Sequence, residues 1–186
     1  VKRSLGIVVA AVVGCSSSPP SLSYTNPKTG ALLLVKDPTS TRTVLVLDFV
    51  VGATAQTGYA TGFDLPLDAT KVSLGMFTPG TALSPGTAPV AANAAIPTTG
   101  PLASNLVVAQ SQKASGGGGV TTDTTLTPGT VLFTVELDLV PKAPGGVVFD
   151  GLGSDFVLPS GGLLDRTGNA VVTSTQVGIG KLEVEN

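Results

Sequence analysis

Acid–base or metal chemistry in this chain would have to come from carboxylates. The 186 residues contain no His, which rules out a serine–histidine pair and a histidine metal ligand. Nine Asp and three Glu remain. Asp64 and Asp68 fall on one face of an expected strand. At about 3.3 Å per residue they would stand roughly 13 Å apart, too far for two carboxyls working across one glycosidic bond. Glu136 and Asp138 share a solvated strand face, where charge keeps a sheet soluble and blocks sheet-to-sheet association. Asp150, Asp155 and Asp165 flank turns, and Asn169 offers a further oxygen. These four are the candidate calcium ligands, because calcium takes carboxylate and carbonyl oxygens from loops. They do not fall in a twelve-residue calcium loop. Sugar recognition usually needs a flat aromatic platform, and the chain has no Trp and two Tyr. Tyr24 lies near the start of the chain, which leaves Tyr59, beside a loop, as the candidate ligand contact. With a formal charge of −2 and no basic cluster, nucleic acid is not an expected partner. The expectation is a non-enzymatic protein with no cofactor, calcium being the one ion its oxygens suit.

The lone Cys is informative through its position. Lys2 and Arg3 precede an apolar run, Leu5 to Val13, interrupted only by Gly6, and Gly14-Cys15 follow. This is the layout of a secretory signal segment, too short to span a bilayer as an ordinary helix. Val12-Val13-Gly14-Cys15 resembles the lipobox of bacterial lipoproteins. The resemblance implies cleavage between Gly14 and Cys15 and a diacylglycerol thioether on Cys15. It also implies, from Ser16 at the next position, outer-membrane sorting in a double-membrane bacterium. The alternative is an ordinary secretory signal followed by an unpaired Cys. Several buried acyl chains hold a protein firmly, at about 0.8 kcal/mol per methylene. The expected organisation is a signal peptide over 1–14, a lipidated Cys with a flexible Ser/Pro tether over 15–29, and one domain over 30–186. Removal of residues 1–14 takes Lys2 and Arg3 with it and makes the formal charge −4.

The elements that must position these residues read as strands. Gly and Pro, 24 and 14 residues, argue against a helix bundle. Leu32 to Lys36 is a short apolar run. Thr43 to Val51 is apolar on both faces and predicts a central strand or one covered by loops. Ala60 to Leu67 puts Phe63, Leu65 and Leu67 on one face and Asp64, Pro66 and Asp68 on the other. Pro66 lacks an amide hydrogen, so this strand is expected at an edge or with a bulge. Lys71 to Phe77 alternates until Thr78-Pro79-Gly80. Residues 81–104, rich in Ala, Pro and Gly, predict a long loop or irregular insertion, with Ala91 to Ile96 at most a helical turn. Leu106 to Gln110 resumes strand, and Ser115 to Gly119 reads as a connecting turn. Thr130 to Val140 is the clearest strand, with Val131, Phe133, Val135, Leu137 and Leu139 inward. Val147 to Asp150, Asp155 to Leu158 and Ala170 to Ser174 follow. Asp165 to Asn169 reads as a turn. Val177 to Val184 predicts a final strand with a bulge at Gly180-Lys181. About eight to ten strands joined by Gly/Pro turns predict an all-β, two-layer antiparallel sandwich.

The order of these features resembles the cohesin-like domains and the related bacterial carbohydrate-binding sandwiches. The segments that carry the likeness are Gly62-Phe63-Asp64-Leu65-Pro66-Leu67-Asp68, the following Lys71-Val72, Thr78-Pro79-Gly80, Gly129 to Val135, and the closing stretch from Asp165 to Val184. It covers roughly residues 30–184 and consists of packing residues. It implies a cohesin-like or immunoglobulin-like sandwich that binds a protein, a dockerin-like partner, through a sheet face; some related domains bind calcium or polysaccharide. None of these activities transfers to a particular residue here. Pro66 stands in a strand such domains use to meet a partner, and the 81–104 stretch is longer than a minimal loop. Phe63, Leu65, Phe133 and Val135 are read as core. The leading expectation is therefore a lipid-anchored envelope protein whose sandwich binds another protein. A carbohydrate-binding module and a purely structural envelope component are the alternatives.

Overall fold

The computed structural model describes residues 18–84, 90–112 and 122–186. Among them are fifteen strands: β1 (Ser21–Thr25), β2 (Leu32–Lys36), β3 (Val44–Val51), β4 (Gln56–Gly58), β5 (Ala60–Pro66), β6 (Val72–Pro79), β7 (Val90–Ala95), β8 (Asn105–Gln112), β9 (Thr124–Leu126), β10 (Val131–Leu139), β11 (Gly146–Asp150), β12 (Ser160–Leu164), β13 (Ala170–Val172), β14 (Val177–Gly178) and β15 (Lys181–Glu185). A short 3₁₀ turn occupies Ser174–Gln176. The chain is all-β, as its alternation predicts. The first five-stranded sheet runs β14-β2-β3-β10-β6 and the second β13-β12-β5-β8-β7. A three-stranded sheet, β1-β15-β11, and the pair β4-β9 complete the set. Every strand pair is antiparallel except β14 with β2.

Strand alternation builds the core. Leu45, Leu47, Phe49 and Val51 point inward from β3, the central strand of its sheet, as its two-sided apolar character predicts. Leu32 and Leu34 join them from β2, and Phe133, Val135 and Leu137 from β10. The second sheet supplies Phe63, Leu65, Leu106, Val108 and Leu163. The sheets meet through aromatic rings: Phe49 stacks on Phe133 at 4.9 Å and meets Phe63 edge-on at 5.3 Å. Phe63 and Phe77 lie 5.7 and 5.8 Å from Phe133. Offset and edge-on rings at such spacings add roughly 0.5–1.5 kcal/mol per pair to the area they bury.

The strand count of eight to ten is too low. The missed pieces, such as Gln56–Gly58 and Thr124–Leu126, are three residues long and carry no apolar run. The folded body also reaches back to Ser21, into the stretch expected as tether. There β1 pairs with β15, Tyr24 opposite Leu182. The Tyr24 hydroxyl donates to the Leu34 carbonyl at 2.7 Å and accepts from the Gly180 amide at 3.0 Å. Burial raises its pKa well above the ordinary phenol value, with the Gly180 hydrogen bond pulling the other way. One side chain thus ties β1, β2 and the approach to β15 together.

Other expectations are corrected. Residues 90–95, read as loop or helical turn, form β7 against β8. Register with a strong neighbour here overrides the weak strand preference of Ala and Asn. Residues 155–158 are turn and irregular backbone rather than strand. The final strand is two: β14 joins the first sheet and β15 the three-stranded one, so Ile179-Gly180 is a change of sheet rather than a bulge. β5 is not an edge strand; it lies between β12 and β8. Pro66 is tolerated because it is the strand's last residue, opposite Asn105 at the end of the ladder. In β10 the register shifts between Val131 and Phe133. Leu132 is therefore buried with Phe133, while Val131 is exposed. The glycine run over 116–119 lies outside the described residues.

Candidate functional site

The outer face of the second sheet forms a trough, and cross-strand register dictates its shape. Ser160, Asp64, Val107 and Ala95 stand in one row across β12, β5, β8 and β7. Gly162, Gly62, Ala109 and Asn93 form the next row, and Leu164, Ala60, Ser111 and Ala91 the third. The middle row carries almost no side chain over β12 and β5, so a furrow crosses the strands between taller rows. Leu102, from the β7–β8 connection, adds to its lining, and its volume is about 750 Å³. The glycines are required by packing. A Cβ on Gly162, whose φ is +127°, would fall 1.8 Å from the Val172 carbonyl oxygen, and one on Gly62 would fall 2.2 Å from that of Val108.

Among the described residues Asp64 is the one charged side chain in this lining. It is 7 % exposed although it faces outward from its sheet. The Asn105 amide donates to its Oδ1 at 2.9 Å. Its other oxygen has no hydrogen-bond partner among the described residues. Burying a carboxylate is costly unless it is paired, and one neutral amide is a sparse partnership. The expected Asp64–Asp68 face does not exist. Asp68 lies beyond the end of β5, accepting from Thr70 and Lys71, the latter at 2.6 Å. Those bonds lower its pKa to about 2, Lys71 contributing most.

The candidate calcium ligands are not brought together. Asp165 and Asn169 close their own turn, as the sequence predicts. Asp165 Oδ1 accepts from the Thr167 and Asn169 amides at 2.8 and 2.9 Å and from the Thr167 hydroxyl at 2.7 Å. The Thr167 hydroxyl bond does most to hold Asp165 below the usual carboxylate range, with the Asn169 amide next. Asn169 turns its amide nitrogen, not its oxygen, toward Thr167 and Asp165. Asp150 accepts from the Leu152 amide, and Asp155 from the Ser154 hydroxyl. Among the described residues no three His, Cys, Asp or Glu side chains are grouped to hold a metal ion. Tyr59 is not in the trough lining; its hydroxyl donates to the Gln112 carbonyl at 3.2 Å. Gly14 and Cys15 lie outside the described residues.

Glu136 and Asp138 occupy the outer face of the first sheet, opposite Val46 and Val44 on β3. Gly75 makes room for both, since a Cβ there would lie 2.7 Å from Asp138 Oδ2 and 2.8 Å from Glu136 Oε1. Asp48 sits on the same face and accepts from Thr134 at 2.6 Å. Burial pushes its pKa up, and the nearby Asp37 adds to the rise. The two outer faces thus differ in kind: one is an open acidic surface, the other a furrow of small residues around one sunken carboxyl.

Two features escaped the sequence reading. Gln110 and Gln112 point into the core, 2 % exposed each, with side-chain nitrogens bonded to Gly80 O and Thr122 O. The other is the burial of Asp64, whose side chain the alternation of β5 places away from the core. Its signal lay in the company it keeps, since Ala60, Gly62, Ala109 and Ser111 are all small on that face. Comparison with protein-family models, curated proteins and solved structures finds no match to this chain.

Proposed function

We propose that this chain is a non-enzymatic, lipid-anchored protein of the bacterial cell envelope whose β-sandwich acts as a protein-binding module. The trough on the second sheet is its docking face. The observation that carries this reading is the trough itself: a preformed, mostly apolar furrow on rigid strands, which orders little further when a partner lands on it. The Lys2-Arg3 start, the apolar run and the Gly14-Cys15 junction support the anchor. Acylated Cys15 would hold the domain at the membrane, on the outer-membrane side by the Ser16 rule. No aromatic side chain projects from the trough floor, so direct sugar stacking has less support than a protein partner. The chemistry on offer is presentation, with no nucleophile–base pair to invoke.

The test uses full-length protein in its native host. Cys15→Ser should remove the acyl mass and shift the protein out of the membrane fraction; retention at unchanged mass would refute the anchor. Ala109→Arg places a long side chain on the exposed trough floor without entering the core. It should abolish capture of a partner that wild-type protein retains from solubilised membranes, while the melting temperature stays within about 2 °C. Capture that is indifferent to Ala109→Arg, or absent from wild type, would leave a structural envelope component as the better description.

A further inference from the structure

The trough has a polarity of its own, and it selects a partner. Its lining is mostly Ala, Gly, Ser and aliphatic side chains, with Asn93 polar on the floor and, among the described residues, a single charge, the Asp64 carboxyl. That carboxyl is nine-tenths buried, has one oxygen held by Asn105, and borders the furrow with an oxygen that meets no donor among the described residues. A buried carboxyl with open acceptor capacity is complemented by a cationic donor, and charge-assisted hydrogen bonds are the strong ones. The small residues of the middle row deepen the furrow, and its mostly apolar lining suits aliphatic side chains beside that donor. Four strands about 4.8 Å apart make a floor roughly 14 Å long, which four or five extended residues would cover. The furrow is open rather than a closed cavity, so a chain can cross it.

We propose that the trough binds an extended segment of a partner protein carrying one Lys or Arg flanked by aliphatic side chains, with the cation seated on Asp64. This rests on the docking reading given above and names the partner's chemistry. Asn105 holds Oδ1 of that carboxyl and leaves Oδ2 with no donor among the described residues.

The probes are two acetylated, amidated heptapeptides, Ala-Ala-Val-Lys-Val-Ala-Ala and the same peptide with norleucine for lysine, together with n-hexylamine. Titration calorimetry with the full chain should show saturable binding of the lysine peptide. The norleucine peptide should bind at least about tenfold more weakly. Asp64→Asn keeps the shape and should weaken the lysine peptide by a similar factor while leaving the norleucine peptide unchanged. Thermal melting of Asp64→Asn separates this from a fold-pinning role, which would lower stability and leave the peptide preference intact. Equal affinity for both peptides, or a lysine preference that survives Asp64→Asn, would overturn the proposal. So would n-hexylamine binding as tightly as the lysine peptide, which would make the site one for small amines. If the peptides bind equally yet Ala109→Arg still abolishes membrane partner capture, the charge assignment falls and the docking face stands. If Ala109→Arg alters neither, both fall.

Discussion

Phe133→Ala should lower the free energy of unfolding by about 3–5 kcal/mol, read as a fall in the urea midpoint at unchanged slope. Phe133 is fully buried and is the ring on which Phe49, Phe63 and Phe77 converge, from both sheets. Truncation removes the transfer free energy of the ring and leaves a hole, because β3 and β6 pair with β10 on either side and limit how far the walls can close. The half-buried Phe77, on the edge strand β6, should cost clearly less when truncated to Ala. A loss at Phe133 no greater than at Phe77 would mean that the two sheets do not meet through this cluster.

Gly162→Ala is the second large effect, expected at about 2–3 kcal/mol or more. Two costs coincide at this residue. Its φ of +127° lies where an L side chain is strained, and the new Cβ would collide with the Val172 carbonyl oxygen on the adjacent strand. The β12–β13 pairing must part or β12 must twist, and either outcome disturbs the trough floor. Gly168 is the matched control. Its φ is +86°, but nothing lies within 4 Å of its Cβ position. Gly168→Ala should cost only the backbone term, about 1 kcal/mol. Similar melting temperatures for the two variants would contradict the close approach of β12 to β13.

These contrasts show which parts of the fold can be read from a string of residues. β3 and β10 were legible because eight or nine residues of alternation leave one sensible placement for each face. β1 was legible in principle, since Leu22 and Tyr24 alternate with Ser21 and Ser23, but the preceding Ser/Pro run dominated the reading. β7 was not legible. Ala and Asn carry little periodic signal, and the strand exists because β8 supplies a partner. The split between β14 and β15 was hidden because apolar spacing runs straight through Ile179. What separates them is tertiary: Tyr24 holds the Gly180 amide, and a Cβ at Gly180 would meet the Thr25 carbonyl oxygen at 2.1 Å.

The site was less legible than the fold. Strand parity places Asp64 on the face away from Phe63 and Leu65, but parity carries no sign that its carboxyl is buried. Its burial comes from a register that sets Val107 and Ser160 beside it, and from Asn105 reaching across the strand pair. Neither appears in the spacing of β5 alone. The trough is a property of four strands, drawn from three separate parts of the chain, whose small residues line up. The candidate calcium residues show the converse. Their turn positions were real, but Asp165 is already satisfied by its own turn and the other two face different donors.

The furrow side of the sandwich, and not its acidic side, is proposed to meet a protein partner. Site-specific photo-cross-linking in intact cells of the host tests it most directly, with a photoreactive amino acid placed in full-length protein at Ala109 on the trough floor or at Glu136 on the opposite outer face. A discrete cross-linked protein adduct is expected from position 109, weakened when Asp64→Asn is introduced alongside, and none from position 136. Adducts of equal yield from both faces, or an adduct from position 136 alone, would contradict it.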